Sequence, residues 1–329
     1  MAYVFPYLIG AISLVGVLKS GYWTFLGFIF VFALHPILDF AFENSRPKIP
    51  TGFLKVYIQS LVYLIYPFLV FVLFAGLRQY ADAQSLLEKI GIVLSIGVTL
   101  GLVGLPGSHE LVHRAKSWEK MIGVMILSLV NFAHFKIFHV DHHHKYVGTP
   151  KDPATAKKNQ NLYAYWLHGF FAEYKLAWQI SIHKDGLSPL KNEMFSFLYL
   201  QIFSAVVIAV VFGAALVPIW ILISIIAILL LQTVDYLEHY GLVRKELKPE
   251  IFEAIKPKHS WDAYSTLTNV ALFNLGFHSN HHTKSQLVFT ELKENNEAKH
   301  LPYGYSVMFL CAMIPPLWFK VMNPLIDAE

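Results

Sequence analysis

The sequence predicts an all-α polytopic membrane protein: six transmembrane helices carrying a histidine-rich cap on one face of the bilayer. Three observations predict it. Of 329 residues, 55% are hydrophobic and only 15% charged, with a mean hydropathy of +0.48, which is too apolar for a soluble domain. Six apolar runs approach the roughly 20 helical residues that cross a bilayer. The histidines gather in the polar stretches beside those runs, four of them within 139–144.

The spans are read at about 3–18, 22–42, 54–77, 87–105, 195–212 and 217–236, and the chain as one integral membrane domain over 1–329. The first run carries no Lys or Arg up to Leu18, so it lacks the basic start of a secretory signal and is read as a span. Lys19-Ser20-Gly21 and Gly213-Ala214-Ala215-Leu216 are tight breaks, each closing a helical hairpin. A seventh apolar segment, Met121 to Phe138, contains Asn131, His134 and Lys136. Such polar density is costly in lipid, so it is expected to be a shallow or re-entrant helix. The run Tyr305 to Met322 is broken by Pro315-Pro316 and is expected to be buried or interfacial.

Six spans put the N-terminus and the segments 106–194 and 237–329 on one side. Of 26 Lys and Arg, only Lys19, Arg78 and Lys89 fall on the other. The short loop with Arg46, Lys48 and Lys55 agrees, and the positive-inside rule makes the histidine side cytoplasmic. No nucleic-acid motif or basic stripe is present. Cys311 is the only cysteine, which excludes intramolecular disulfides, Cys-rich zinc sites and cysteine-held clusters. A metal here is bound by His or carboxylate.

Four histidine sites carry the chemistry. His109 and His113 are i and i+4, about 40° apart on a helix, and spell the H-E-x-x-H pattern in which Glu110 serves zinc peptidases as base. In Phe138-His139-Val140-Asp141-His142-His143-His144-Lys145, α-helical geometry puts His139 and His143 on one face and His144 roughly 140° from His139. Such a spread serves more than one metal. His278, His281 and His282 gather on one side of a helical turn, and His239 ends the sixth span. Nine neutral nitrogen donors exceed the about four that one tetrahedral zinc takes; two metals with four or five ligands each use them all. Donor type alone does not choose among iron, copper, zinc and nickel.

His142 competes with His143 as a ligand, being also on the face of His139, and is ranked as support. Glu110, Asp141, Asp235, Glu238 and Asn280 adjoin the ligands and are candidates to hold imidazole N–H groups; His259 is a further candidate support. His35, before Pro36, satisfies a kinked helix. Asp152 reads as a cap in a turn.

The stretches HELVH (109–113), HVDHHH (139–144) followed by VGTPKDPATA, DYLEHYGLVR (235–244), HSWDAYSTLTN (259–269), FHSNHH (277–282) and LPYGYSVMFLCAMIPPLW (301–318) resemble the membrane-bound alkane 1-monooxygenases of the fatty-acid desaturase and hydroxylase superfamily. The resemblance runs from about Pro36 to Pro324. It implies six spans with a cytoplasmic diiron site held by His109, His113, His139, His143, His144, His239, His278, His281 and His282. It also implies O2 as co-substrate and electrons from NADH through rubredoxin reductase and rubredoxin. The chain departs from the family pattern at Phe138 (usually Glu), His142 (Gly), Asp235 (Asn), Gly276-Phe277 (Gln-Arg) and Asn159-Gln160-Asn161 (Gly-Glu-Ser); none of these removes a ligand.

The expected reaction is hydroxylation of the terminal carbon of medium- or long-chain alkanes drawn from membrane lipid, in a bacterial inner membrane. An unactivated C–H bond offers nothing for acid–base catalysis to grip, so a redox metal must supply the oxidant. Phe28, Val31 and Phe32 are expected to line the hydrocarbon's path. The rivals are an alkylaromatic methyl hydroxylase, a fatty-acyl desaturase or decarboxylase, and, more distantly, an intramembrane zinc protease built on His109, Glu110 and His113. A metal transporter is disfavoured because transport sites lie near the bilayer midplane, whereas these histidines sit at one end of the spans.

Overall fold

In the computed structural model, which describes residues 2–41 and 51–327, six helices are long and apolar enough to cross a membrane. Four come first: α1 (Ala2–Lys19), α2 (Gly21–Ala41), α3 (Gly52–Asp82) and α4 (Leu86–Val112). Three helices outside the spans follow: α5 (Ser117–Leu129), α6 (135–146) and α7 (Leu162–Asp185). The last two spans are α8 (Glu193–Phe212) and α9 (Ala214–His239). The chain closes with α10 (Thr266–Ala271), α11 (His278–Thr283), α12 (Tyr305–Ala312) and α13 (Pro315–Asp327). Phe42 and the loop cations Arg46 and Lys48 lie outside the described residues.

The α1–α2 break turns at Ser20 and Gly21, and the α8–α9 break at Gly213, all with positive φ. Span α4 runs past the expected end near Leu105 to Val112, carrying His109 with it. The cause lies at Pro106: a proline lacks the N–H that an α-helix needs, and the π-helical turn Leu100–Gly104 just before it absorbs the missing bond. The same device, a π turn over Phe30–Leu34, precedes Pro36 in α2. A Cβ on Gly101 would stand 3.0 Å from the Cα of Ala227, so the bare glycine lets α4 press against α9 backbone to backbone.

The seventh apolar segment is broken. α5 ends at Leu129, the chain turns through Asn131 at positive φ, and α6 begins at Phe135. The turn's polar groups are met: Trp220 Nε1 donates to the Leu129 carbonyl at 2.6 Å, Asn131 Nδ2 donates to Ser224 Oγ at 3.1 Å, and Lys136 pairs with Glu193 at 2.8 Å. The C-terminal run breaks at Pro315 into α12 and α13, whose Tyr305, Met308, Trp318 and Met322 are buried. Two small sheets depart from the all-helical expectation. One is the antiparallel hairpin β1 (Glu246–Lys248) with β2 (Ile251–Phe252), the other the parallel pair β3 (Trp261–Asp262) with β4 (Lys299–His300).

Buried polar anchors tie the cap to the spans. Asp39, near the end of α2, accepts from Ser265 Oγ, the Thr268 backbone N–H, Thr268 Oγ1 and Ser306 Oγ at 2.7–3.0 Å. Asp262 on β3 accepts from the N–H and hydroxyl of Ser279 at 2.7 and 2.8 Å, which fixes α11. Arg244 reaches the carbonyls of Lys145 and Glu253, clamping the end of α6 against the hairpin.

Candidate metal centre

The ends of α4, α6, α9 and α11 converge, and their histidines fall into two groups. His109, His113, His139, His144 and His281 form one; His143, His239, His278 and His282 form the other; within each, one nitrogen per ring lies within 4.8 Å of the rest. In the first, Nε2 of His144 stands 3.0 Å from Nε2 of His139 and 3.1 Å from that of His281. In the second, Nε2 of His278 stands 3.1 Å from that of His239 and 2.9 Å from that of His282.

α-Helical spacing would pair His139 with His143. The two rings stay stacked at 5.1 Å but their nitrogens fall in different groups, because residues His139–His143 form a π-helical turn. Its bonds run from i to i+5, so His144 comes under His139 and His143 is rotated into the other group. One helix thereby serves both groups.

The donor set fits metal ions. Burial holds His113 down to about 3 and keeps His139, His144, His278, His281 and His282 well below the usual imidazole range, so these rings are neutral and offer lone pairs. Nε2 of His109, His113 and His143 has no hydrogen-bond partner although buried. Buried polar atoms are rarely left so. Lone pairs aimed at one another at about 3 Å are reconciled by a cation between them. His143 differs from the others: burial lowers its pKa, but the adjacent Asp152 charge and hydrogen bond outweigh that and raise it.

Asp152 is the residue that sequence reasoning missed. Its Oδ2 accepts from His143 Nδ1 at 3.0 Å and from Thr155 Oγ1 at 2.7 Å, while Oδ1 accepts from the Ala154 N–H. The turn reading of Asp152 was half the account: the same carboxylate caps its turn and orients a histidine. Glu238 Oε1 stands 3.2 Å from His278 Nδ1 and accepts from Tyr305 Oη at 2.8 Å. Asp235 is buried with Oδ2 unpartnered and acts electrostatically on His143.

Other expected supports are placed differently. Asp141 is exposed and bonds no imidazole among the described residues, because the π turn faces it outward. Glu110 is turned from the histidines by Arg114, which it pairs at 2.7 Å, and by the Phe289 N–H that it accepts. Asn280 accepts from the Lys293 N–H, and His142 binds the Lys151 carbonyl at 2.9 Å, so each holds a loop. The His259 side chain accepts from the Lys256 N–H through Nδ1, while its backbone meets the His239 ring.

Phe28 and Phe32 line an apolar groove with Trp166 and Phe309. Val31 and Phe32 line an adjoining pocket that reaches Val234 and Tyr305. Phe32, Leu230 and Phe309 belong to both, and Tyr305 bonds Glu238 beside the four-histidine group.

The fatty acid desaturase family model matches residues 89–310. The alkane 1-monooxygenase 2 of Alcanivorax borkumensis is 32% identical over 93% of this chain and 84% of its own length. The alkane 1-monooxygenase 2 of Pseudomonas aeruginosa is 31% identical over 93% of this chain and 85% of its own length. The chain belongs to the membrane-bound alkane 1-monooxygenase family. It is therefore an integral membrane oxidoreductase of the desaturase and hydroxylase superfamily. Another relative of this alkane 1-monooxygenase family member is the xylene/toluene monooxygenase hydroxylase component of Pseudomonas putida, 29% identical over 97% of this chain and 86% of its own length.

Proposed function

We propose that the protein is a non-haem diiron monooxygenase that hydroxylates the terminal carbon of medium- and long-chain alkanes to primary alcohols. The observation that carries the reading is the pair of buried histidine groups, five and four donors, at one end of a six-span bundle whose relatives are alkane 1-monooxygenases. Two bound irons supply the redox chemistry that lets O2 attack an unactivated C–H bond. One oxygen atom enters the alcohol and the other leaves as water, which takes up two protons and the two electrons that NADH delivers through rubredoxin reductase and rubredoxin. The chain works as a single integral membrane unit in a bacterial inner membrane, its site on the cytoplasmic face where a soluble donor reaches it.

The residues of the chain bind, orient and exclude. All nine histidines are metal ligands: their Nε2 atoms present lone pairs, Asp152 accepts from the far nitrogen of His143, which fixes that ring's tautomer and orientation, and Glu238 stands 3.2 Å from the far nitrogen of His278. The apolar groove lined by Phe28 and Phe32 receives the hydrocarbon from lipid, and the pocket beyond it, with Val31, leads the chain end toward Tyr305 and Glu238. Phe28 and Phe32 pack with tilted rings at 4.8 Å between centres, and Phe32 and Phe309 likewise at 5.4 Å, forming a narrow collar that keeps water from the site. Trimming that collar with Phe32→Ala admits longer chains: the preference between hexadecane and octane shifts toward hexadecane by roughly tenfold, read from competing substrates in one incubation.

A second reading has its own support. The xylene/toluene relative matches as much of this chain as the alkane relatives do, so methyl hydroxylation of an alkylaromatic uses the same site if the pocket takes a ring. Product identification separates the readings. Octane, hexadecane, xylene and a fatty acid are offered together with NADH, rubredoxin reductase and rubredoxin. Primary alcohols from the alkanes support the proposal; a benzylic alcohol alone moves it to the second reading, and desaturated acid alone ends both.

A further inference from the structure

The two histidine groups lie in different charge environments. Around the five-histidine group the ionic side chains balance: Arg114 pairs with Glu110 at 2.7 Å, Lys120 acts on His113, and Glu119 acts on Glu110. Among the described residues no carboxylate stands within ion-pair distance of those five rings. Around the four-histidine group the balance is lost. Asp152 is 3.0 Å from His143 Nδ1 and Glu238 is 3.2 Å from His278 Nδ1. Asp235 is buried beside them in the same charge environment, with one carboxylate oxygen unpartnered. None of these three carboxylates has a Lys or Arg partner among the described residues.

The difference bears on how each group holds a cation. A metal surrounded only by neutral imidazoles in a buried site keeps its whole charge uncompensated, and desolvation makes that costly. A carboxylate on the far side of an imidazole makes the ring a more basic ligand, and its own charge offsets the metal's. By ligand number the five-histidine group is the stronger. By charge the four-histidine group is, and in a site shut off from water charge is the larger effect.

We propose that the two metal sites are unequal: the group His143, His239, His278 and His282 is the high-affinity site and fills first, with Asp152 and Glu238 as positioning residues that set its affinity. This rests on the two-metal reading above. Asp235, four residues before His239 on α9, acts on His143 across space.

Full-length apoprotein in detergent, titrated with Co2+ and followed by the visible absorption of the bound ion against a competing chelator, tests it. Two equivalents bind in the wild type, the first at least about tenfold tighter than the second, and Asp152→Asn or Glu238→Gln weakens the first by roughly 10–100-fold while moving the second by less than about threefold. His282→Ala removes the tight equivalent, and His281→Ala leaves it in place. Two equal equivalents in the wild type, or loss of the tight one in His281→Ala, overturns the proposal while leaving the two-metal reading intact. A wild type that binds one Co2+ or none overturns both. The wild-type titration and His281→Ala decide the matter even if the carboxylate variants misfold.

Discussion

Changing His239 to alanine abolishes alkane hydroxylation and lowers the metal content from about two ions per chain to about one. His239 ends the last span, and its Nε2 lies 3.1 Å from that of His278. Its group has only three other donors, so the loss leaves too few ligands to hold a metal against water. The five-donor group stays complete, and one equivalent remains. Elemental analysis of purified protein and product formation from octane read the two effects. The same variant separates this account from an intramembrane zinc protease, for which His239 is idle and Glu110 is the base. Here Glu110 is bound to Arg114 and the Phe289 N–H, so Glu110→Gln keeps both metals and still hydroxylates.

The second large effect is on stability. Asp39→Ala removes an acceptor from three hydroxyls and one backbone N–H at once. Asp39 is 2% exposed, so no bulk water replaces it. A buried donor left without a partner costs about 1–3 kcal/mol, and the hydroxyls can rotate to other acceptors while the N–H cannot. The variant is destabilised by roughly 3 kcal/mol or more. The failure is local to the seam joining α2, α10 and α12, and thermal unfolding in detergent shows it as a lowered, broadened transition. Asp39→Asn, which keeps an acceptor, recovers about half of the loss.

The spans were legible because lipid imposes a length and a polarity that few other constraints produce. The four histidine sites were legible because nine donors of one type stand out in a chain otherwise poor in polar residues. Their partition was not. Reading 139–144 with an α-helical period pairs His139 with His143, and only the π turn shows that His144 takes that place. Asp152 was hidden for a different reason: it lies nine residues from His143 in a run of turns, where no period links position to neighbour. The reach of α4 through Pro106 likewise depends on a π turn with no mark in composition. Asp141 and Glu110 adjoin ligands in sequence yet serve solvent and Arg114, because adjacency along a helix puts side chains about 100° apart.

Iron analysis of the purified, iron-loaded protein tests the central claim most directly. The account predicts about two irons per chain, as donor groups of five and four imidazoles require. A single zinc per chain, with no iron retained, contradicts it.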